Sequence, residues 1–354
     1  MQSWSGEADG NVSDVSVRRS DPRATVIVLA ALLDAVIGEP STPRHPVAWL
    51  GRLIAALERR RPAGAPVREA AWGAMMVSGV VGTAAVAGLC AERGLRRLPP
   101  VLRGPALAVA LQPAFALRGL VEAAESVRDA LGLDIDQARE RLLALVSRDR
   151  RLDEPHVVSA AVESLAENLT DSVTAPLLAY AVGGLPAAYA YRAVNTLDAM
   201  IGYRGDYEHV GKLAARLDDV ANFIPARLTG LLIRAVGTVT PVRAADPPTM
   251  NGTVSGTATK ADGPSATDSL GTEPAVAAGT GPNKMRTIAP MATLLGVQLE
   301  KPGTYRVGRP TRRLEAGIIT EAVRVAWRVG AAVVVVGSGV AVAVGRRNGK
   351  GPAV

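Results

Sequence analysis

The sequence predicts an all-α, polytopic helical membrane protein with about four or five transmembrane helices and amphipathic helical loops on the cytoplasmic side. Three observations predict this class. Of the 354 residues, 48% are hydrophobic and 21% are charged, and the mean hydropathy is +0.17. The apolar residues are concentrated in runs of Ala, Gly, Val and Leu, whose small members suit close helix packing in lipid. Arginines and lysines stand beside these runs, as expected at an anionic membrane surface.

Three apolar runs have the length of a transmembrane helix, which needs roughly 20 residues. They cover residues 72–91, 172–191 and 325–345. The third run is long enough because Arg328, near its start, can extend its charged end to the interface. Two shorter runs are predicted to span the membrane or to enter it partway, namely 24–38 and 105–117.

Composition argues against several other classes. The net charge of +7 does not indicate nucleic-acid binding, because the basic residues border apolar runs and the chain has only two Phe, four Trp and six Tyr for base stacking. The single cysteine, Cys90, excludes an internal disulfide and a cysteine-based zinc site. Acidic residues near the N-terminus argue against a signal peptide, and the sequence has no Walker A pattern for a nucleotide.

We expect four segments along the chain. Residues 1–23 are polar and are predicted to form a disordered N-terminus, and residues 24–239 form the membrane and catalytic core. Residues 240–287 are rich in Ala, Gly, Thr, Pro and Ser, so they cannot bury a core and are predicted to form a flexible loop. Residues 288–354 form a C-terminal segment with the last transmembrane helix.

The stretch 148–227 contains two polar clusters that flank the apolar run 172–191. In the first cluster Glu163, Glu167 and Asp171 stand four residues apart, which places three carboxylates on one helix face. The second cluster contains Asn195, Asp198, Arg216, Asp218, Asp219, Asn222 and Arg227. Such groups are costly beside a membrane-length run, so one interpretation is a functional site. The alternative is an amphipathic helix with a solvated acidic face, followed by a transmembrane helix.

Several blocks of this region occur together, and in this order, in one family. The central blocks are Glu163-Ser-Leu-Ala-Glu-Asn168, Asp171, Ala175-Pro176, Asn195-Thr-Leu-Asp198, Met200, Gly202-Tyr203, Ala215-Arg-Leu-Asp-Asp219 and Asn222-Phe-Ile-Pro-Ala-Arg227. The flanking blocks are Leu33-Asp34, Gly38-Glu39-Pro40, His45-Pro46-Val47, Arg148-Asp149, Leu295-Gly-Val-Gln-Leu299 and Gly303-Thr-Tyr305. On these blocks the chain resembles the adenosylcobinamide-phosphate synthase family of cobalamin biosynthesis, also called cobinamide synthases, over most of residues 34–309.

The chain departs from this family in one block. The family usually carries a Ser-Pro-Asn-Ala-Gly-Trp-like block before its Leu-Gly-Val segment. Here only Pro282-Asn283 remains, within Gly281-Pro-Asn-Lys-Met-Arg286, and Glu39 stands where Asp is commoner. The degenerate block leads us to expect a modified substrate site and altered activity.

The resemblance implies a multi-pass enzyme of the bacterial inner membrane. The implied reaction is the ATP-dependent amide ligation of adenosylcobyric acid, through its free propionate carboxyl, to (R)-1-aminopropan-2-ol or its phosphate. The product is adenosylcobinamide or its phosphate, and Mg²⁺ is the expected metal. The implied partners are the corrinoid and amino-alcohol phosphate substrates, the lipid bilayer and other membrane enzymes of cobalamin assembly.

A carboxylate must be activated before it forms an amide, for instance as an acyl phosphate, and phosphoryl transfer needs Mg²⁺ and cations directed at the phosphates. Together with the resemblance, this chemistry suggests three groups of residues. The catalytic candidates are Glu163, Glu167, Asn168, Asp171 and Asp198. The candidates for substrate or phosphate binding are His45, Arg148, Asn195, Lys212, Arg216, Asn222 and Arg227. The candidate metal ligands are Asp218 and Asp219.

Two other functions stay open from the residues alone. A Mg-dependent prenyl or alcohol-phosphate transferase also uses aspartate-rich motifs. Those enzymes carry paired aspartates on each of two helices, whereas Asp218-Asp219 with Asn222 resembles only one of the two motifs. An ion-coupled transporter would bind ions with buried carboxylates, although no inverted repeat is visible. A structural or assembly role is a third alternative.

Overall fold

The computed structural model describes residues 22–38, 45–62, 64–146, 151–203, 205–239 and 281–348. Within these ranges the chain is almost entirely helical. The α-helices are α1 (Pro22–Ile37), α2 (Pro46–Glu58), α3 (Pro66–Leu95), α4 (Pro100–Leu111), α5 (Arg118–Leu131), α6 (Ile135–Leu142), α7 (Glu154–Leu169), α8 (Ala175–Ile201), α9 (Lys212–Ala221), α10 (Phe223–Val239), α11 (Met285–Leu295) and α12 (Ala316–Asn348). A π-helix, Thr170–Thr174, joins α7 to α8, and strands β1 (Gln298–Lys301) and β2 (Tyr305–Gly308) form an antiparallel hairpin.

The helices confirm an all-α membrane protein with several spans. Three helical segments in the described residues are long and apolar enough to cross a membrane: Pro66–Leu95, Glu154–Ile201 and Ala316–Arg347. The pair Pro100–Ala114 and Arg118–Leu131, bent by 43°, supplies a fourth if it acts as one span. Helix α1, which contains most of the predicted run 24–38, has only 16 residues and is too short for this test. Within the described parts of the chain, the number of helical segments that could span a membrane is therefore three or four.

The bend between α4 and α5 is fixed by a carboxylate. Asp34 on α1 accepts hydrogen bonds from the backbone N–H groups of Leu117 and Arg118, at 3.2 and 3.0 Å. These groups lie at the start of α5, where backbone N–H groups have no partner within the helix. Asp34 thereby caps α5 from a neighbouring helix, which gives a structural reason for a buried carboxylate in an apolar segment.

Helix α8 is broken at its midpoint. Gly184 has φ 70° and ψ −159°, a conformation that is essentially restricted to glycine, and Pro186 follows two residues later. The backbone N–H of Leu185 donates to the Glu92 carboxylate of α3 at 3.0 Å, and Arg96 pairs with the same carboxylate. The break is thus held from outside by the buried Glu92 carboxylate, which forms an ion pair with Arg96.

The break makes the helix double back. A straight helix rises about 1.5 Å per residue, so Glu167 and Asp198 would stand about 46 Å apart along it. In the structure the Glu167 and Asp198 carboxylates interact electrostatically, and both interact with Lys284. The segment before Gly184 and the segment after it therefore run side by side as a helical hairpin, and the run 172–191 lies around its tip.

Helix α7 lies in the core, under the β-hairpin. Every side chain from Val157 to Ala166 is buried. The Ser159 hydroxyl donates to the Glu163 carboxylate at 2.6 Å and accepts from the backbone N–H of Glu300 on β1 at 2.8 Å. The Tyr305 hydroxyl on β2 donates to the other oxygen of Glu163 at 2.5 Å. Glu163 therefore joins α7 to the hairpin.

Several predicted segments fall wholly or partly outside the described residues. They include most of the polar N-terminal stretch, residues 1–23, and most of the predicted loop 240–287. At the described edges, α1 begins at Pro22 and α11 begins at Met285. The division of the chain into four segments stays a prediction.

Candidate functional site

Four elements of the chain meet at one polar site. They are the end of α7 with the π-helix, the second half of α8, helix α9, and the turn before α11. The carboxylates that these elements bring together are those of Glu167, Asp171, Asp198, Asp218 and Asp219. We call this group the acid cluster. It unites the two polar clusters that the sequence places on either side of an apolar run.

The π-helix presents Asp171 to this cluster. A π-helix adds a residue to the turn and shifts the following side chains around the axis, and such turns are frequent at functional sites. The Thr174 hydroxyl donates to the Leu169 carbonyl at 3.1 Å, and the Thr229 hydroxyl of α10 donates to Thr174 at 2.8 Å. Asp171 interacts electrostatically with Asp218 and Glu167.

Asp218 is held by a chain of amide and hydroxyl groups. Asn222 donates to one carboxylate oxygen at 3.0 Å, and Asn195 donates to the other at 3.4 Å. The Tyr191 hydroxyl in turn donates to the side-chain amide oxygen of Asn222 at 2.8 Å. Burial raises the pKa of the Asp218 carboxyl, while the hydrogen bonds from Asn222 and Asn195 act in the opposite direction and the neighbouring charge of Asp219 raises it further. The two amides therefore orient the Asp218 carboxylate, but their hydrogen bonds offset only part of the cost of burying its charge.

Lys284 supplies a cation at the centre of the acid cluster. Its ammonium group lies 2.5 Å from Glu167 and also interacts with Asp171 and Asp198. The charge of Glu167 raises the pKa of the Lys284 ammonium, so the group is protonated at neutral pH. The Lys284 side chain is 53% exposed, which places it where the cluster opens to solvent.

The Asn283 side chain attaches the turn before α11 to α9 and α10. The Asn283 amide donates to the Asp219 carbonyl at 2.8 Å and its oxygen accepts from Arg227 at 3.5 Å. The Arg227 guanidinium stacks on the Phe223 ring at 3.4 Å. The remnant of the degenerate block, Pro282-Asn283, therefore positions Lys284 beside the acid cluster.

Arg192 supplies a second cation on the buried side. One of its terminal nitrogens donates to the Asn195 side-chain oxygen at 3.5 Å, and its charge acts on Asp171 and on His45. His45 precedes α2 and its Nδ1 accepts from the Val47 backbone N–H at 3.2 Å. Burial and, second, the charge of Arg192 lower the pKa of the His45 imidazole.

The structure brings together most of the predicted site residues, though not all of them. Glu163 is hydrogen-bonded to Ser159 and to Tyr305 of the β-hairpin. The Asn168 amide donates to the backbone carbonyl and to the hydroxyl of Ser164 on its own helix, each at 3.0 Å. Lys212 and Arg216 lie exposed on α9. Arg148 lies outside the described residues. The predicted residues that contribute to the acid cluster or touch its members are Glu167, Asp171, Asn195, Asp198, Asp218, Asp219, Asn222 and Arg227.

Sequence reasoning missed both cations of the cluster. Arg192 directly follows the apolar run 172–191, and a single charge at that position is a signal that could have found it. Lys284 follows the low-complexity stretch and stands where the family block has Ala, so the block gave no reason to choose it. Tyr191, whose hydroxyl supports Asn222, was counted as a member of the apolar run.

The acid cluster fits Mg²⁺ only together with phosphate ligands. Among the described residues, no group of three or more His, Cys, Asp and Glu side chains could hold a metal ion by itself. Mg²⁺ is usually held by one or two carboxylates plus substrate phosphates and water. Asp218 and Asp219 meet that smaller requirement, and no donor in the described ranges of the chain hydrogen-bonds the Asp219 carboxylate.

The fold and the site define a class of protein: a polytopic helical membrane protein with a polar, acid-rich site built around a broken helix. Comparison with known proteins makes this class more specific. The chain belongs to the CobD/Cbib protein family, whose model matches residues 27–329.

Individual relatives agree with this assignment. The chain is 37% identical over 305 residues to the probable cobalamin biosynthesis protein CobD of Pyrococcus furiosus, covering 84% of this chain and 92% of that protein. It is 36% identical over 304 residues to the protein of that name from Methanothermobacter thermautotrophicus, covering 85% and 92%. It is 40% identical over 210 residues to the cobalamin biosynthesis protein CobD of Dehalococcoides mccartyi, covering 59% and 68%. No solved structure matches the chain.

Proposed function

We propose that this protein acts in cobalamin biosynthesis as an amide-forming ligase. It would join adenosylcobyric acid to (R)-1-aminopropan-2-ol or its phosphate, with ATP as the activating substrate. One observation carries the proposal. Carboxylates from two distant segments of the chain converge with two cations, Lys284 and Arg192, at one site that opens to solvent.

The residues of the site suit the activation of a carboxylate. Asp218 and Asp219 would hold Mg²⁺, which when bound neutralises phosphate charge and polarises the phosphoryl oxygens. Asn195 and Asn222 orient Asp218 through their amide N–H groups, so the carboxylate needs little rearrangement on binding. Lys284 and Arg227 line the side of the site where anionic oxygens would enter, and Lys284 offsets the repulsion between those oxygens and the acid cluster.

Glu167 and Asp198 are the candidates for proton transfer. An amine must be neutral to attack an activated carboxyl, so a base has to accept its proton. Glu167 is partly exposed beside Lys284, and Asp198 lies within electrostatic range of both. The Glu167 carboxylate lies in an ion pair with Lys284 on the side of the site that opens to solvent, where the incoming amine can reach it.

Family membership favours this proposal over the alternatives. The relatives are named cobalamin biosynthesis proteins, whereas a transferase or a transporter would belong to other families. We propose the cytoplasmic membrane as the location, with the acid cluster on the cytoplasmic side because ATP is there. The corrinoid, the amino-alcohol phosphate and neighbouring enzymes of cobalamin assembly are the proposed partners.

A reconstituted reaction tests the proposal. Membranes containing the protein are incubated with adenosylcobyric acid, ATP, Mg²⁺ and (R)-1-aminopropan-2-ol phosphate, and corrinoids are separated and weighed by mass spectrometry. We expect a product with the mass of the amide, dependent on ATP and absent from membranes without the protein. Unchanged corrinoid acid with every amine tested would contradict the proposal.

A further inference from the structure

Two buried nitrogen donors near the acid cluster, one on His45 and one on Arg192, have no acceptor among the described residues. In the described ranges, Nε2 of His45 and Nε of Arg192 are buried and make no hydrogen bond. His45 as a whole is only 7% exposed. Buried polar groups without a partner are rare and costly, and each one calls for an explanation such as an unseen ligand.

The capping role of His45 determines its tautomer. Nδ1 accepts a hydrogen bond from the Val47 backbone N–H at 3.2 Å, so Nδ1 carries no proton. The lowered pKa of the imidazole keeps the ring neutral at physiological pH. The one ring proton of neutral His45 therefore lies on Nε2, and Nε2 is a donor without an acceptor.

Arg192 lies close enough to both His45 and the acid cluster for its charge to act on each. Its charge acts on the His45 ring and on Asp171, while one terminal nitrogen donates to Asn195 at 3.5 Å. Nε–H, in contrast, has no acceptor among the described residues. A guanidinium binds planar or tetrahedral oxyanions with two adjacent donors, and Nε is commonly one of the two. Two unsatisfied N–H donors and one positive charge are what such an oxyanion needs.

We propose that His45 and Arg192 form an oxyanion-binding subsite that receives the phosphate group of the amine substrate. The identity of that ligand rests on the proposed function, whereas the subsite itself does not. The subsite is buried, so it admits a small group. Its donors belong to His45 and Arg192 and not to the carboxylates of the acid cluster, where a metal-bound nucleotide would bind. In this way the phosphorylated amine and the nucleotide occupy neighbouring positions without sharing ligands.

Two conservative variants remove the donors and keep the structure. His45→Asn retains a good helix-capping side chain but lacks a donor at the position of Nε2. Arg192→Lys retains the positive charge but lacks Nε. His209→Asn and Arg97→Lys are matched controls, because both side chains lie on the exposed surface. Thermal unfolding of each detergent-solubilised variant establishes that the fold is retained.

The first measurement is binding of inorganic phosphate, with no corrinoid or nucleotide present, followed by ³¹P NMR. We expect each site variant to weaken phosphate binding at least about fivefold and the controls to leave it unchanged. The second measurement compares kcat/KM for the phosphorylated and the free amino alcohol. We expect each site variant to lower the preference for the phosphorylated amine about tenfold, through KM for that amine alone.

The outcomes separate the subsite from the proposed function. Weakened phosphate binding in a protein that forms no amide would support the subsite and remove the function. Amide formation with unchanged phosphate binding and unchanged amine preference in both variants would overturn the subsite. An equal loss with both amines would also overturn it, because that result indicates a purely structural role.

Discussion

Asp218→Asn is expected to reduce amide formation at least about 100-fold while the protein stays folded. Asp218 is the carboxylate on which the Asn195 and Asn222 amides converge, so it is the most firmly oriented acid in the cluster. An asparagine presents one oxygen instead of two, carries no charge and would attract the metal ion far less. The loss of one oriented electrostatic group in an active site typically has an effect of this size.

The stability of Asp218→Asn is expected to change little, because two effects on its free energy of unfolding oppose each other. Burial raises the pKa of the Asp218 carboxyl, so the folded state holds its proton more tightly than the unfolded state does. Ionisation of Asp218 therefore costs stability once the pH rises above the unfolded-state pKa, and the full cost is present above the folded-state pKa. The neutral asparagine avoids this cost but can accept only one of the two amide hydrogen bonds, so at pH 7.5 we expect the unfolding temperature to change little.

Amide formation is measured by mass spectrometry in the reconstituted reaction, and unfolding by intrinsic tryptophan fluorescence. Asp129→Asn, which changes an exposed aspartate on α5, is the matched control and should leave both quantities unchanged. Full activity in Asp218→Asn would remove this residue from the mechanism. Activity lost together with a lower unfolding temperature would mean that Asp218 serves the fold.

Gly184→Ala is expected to lower both the stability and the activity of the protein. The backbone at Gly184 has φ 70° and ψ −159°, which an L-residue adopts at a cost of about 1–3 kcal/mol. A Cβ atom there would also overlap the Glu92 carboxylate that holds the break in α8. To relieve the overlap, the Glu92 carboxylate must leave the Leu185 N–H, which releases the break, and we expect the two arms of the helical hairpin to shift and Glu167 to move away from Asp198.

Gly82→Ala is the control for this substitution. Gly82 lies in helix α3, and a Cβ atom there would meet nothing within 4 Å. We expect it to leave the unfolding temperature and the activity unchanged, or to stabilise the helix slightly. If Gly184→Ala behaved like Gly82→Ala, the break at Gly184 would not determine the geometry of the site.

The sequence predicts the class of fold because its main signal is local. The apolar runs near α3 and α12 are long, contain at most one charged residue and are flanked by basic residues, and the structure has helices there. The fold-back of α8 is not local in this sense. Gly184 and Pro186 indicate a break in the helix, but they do not determine the angle of the turn. That angle depends on the Glu92 carboxylate of another helix, which holds the turn.

The site is only partly predictable for the same reason. The four-residue spacing of Glu163, Glu167 and Asp171 predicts one helix face, but Glu163 points to Tyr305 on a hairpin about 140 residues later, and the π-helix shifts Asp171. Lys284 reaches the site only through tertiary packing of the turn before α11, where Asn283 binds the Asp219 carbonyl. Contacts of this kind depend on the whole fold, so a pattern within one segment cannot predict them.

The convergence of the two acidic segments is tested most directly by cross-linking. In a Cys90→Ser background, Glu167→Cys and Asp198→Cys place one thiol on each arm of the α8 hairpin, and trypsin cleaves between them after Arg192. A short bismaleimide is expected to join the two resulting peptides within one chain. The pair Glu167→Cys and Val182→Cys, about 22 Å apart along one straight arm, should give no cross-link within the peptide that carries both thiols. Absence of a link between positions 167 and 198 would contradict the account, because it would mean that α8 runs straight and that the two acidic segments never form one site.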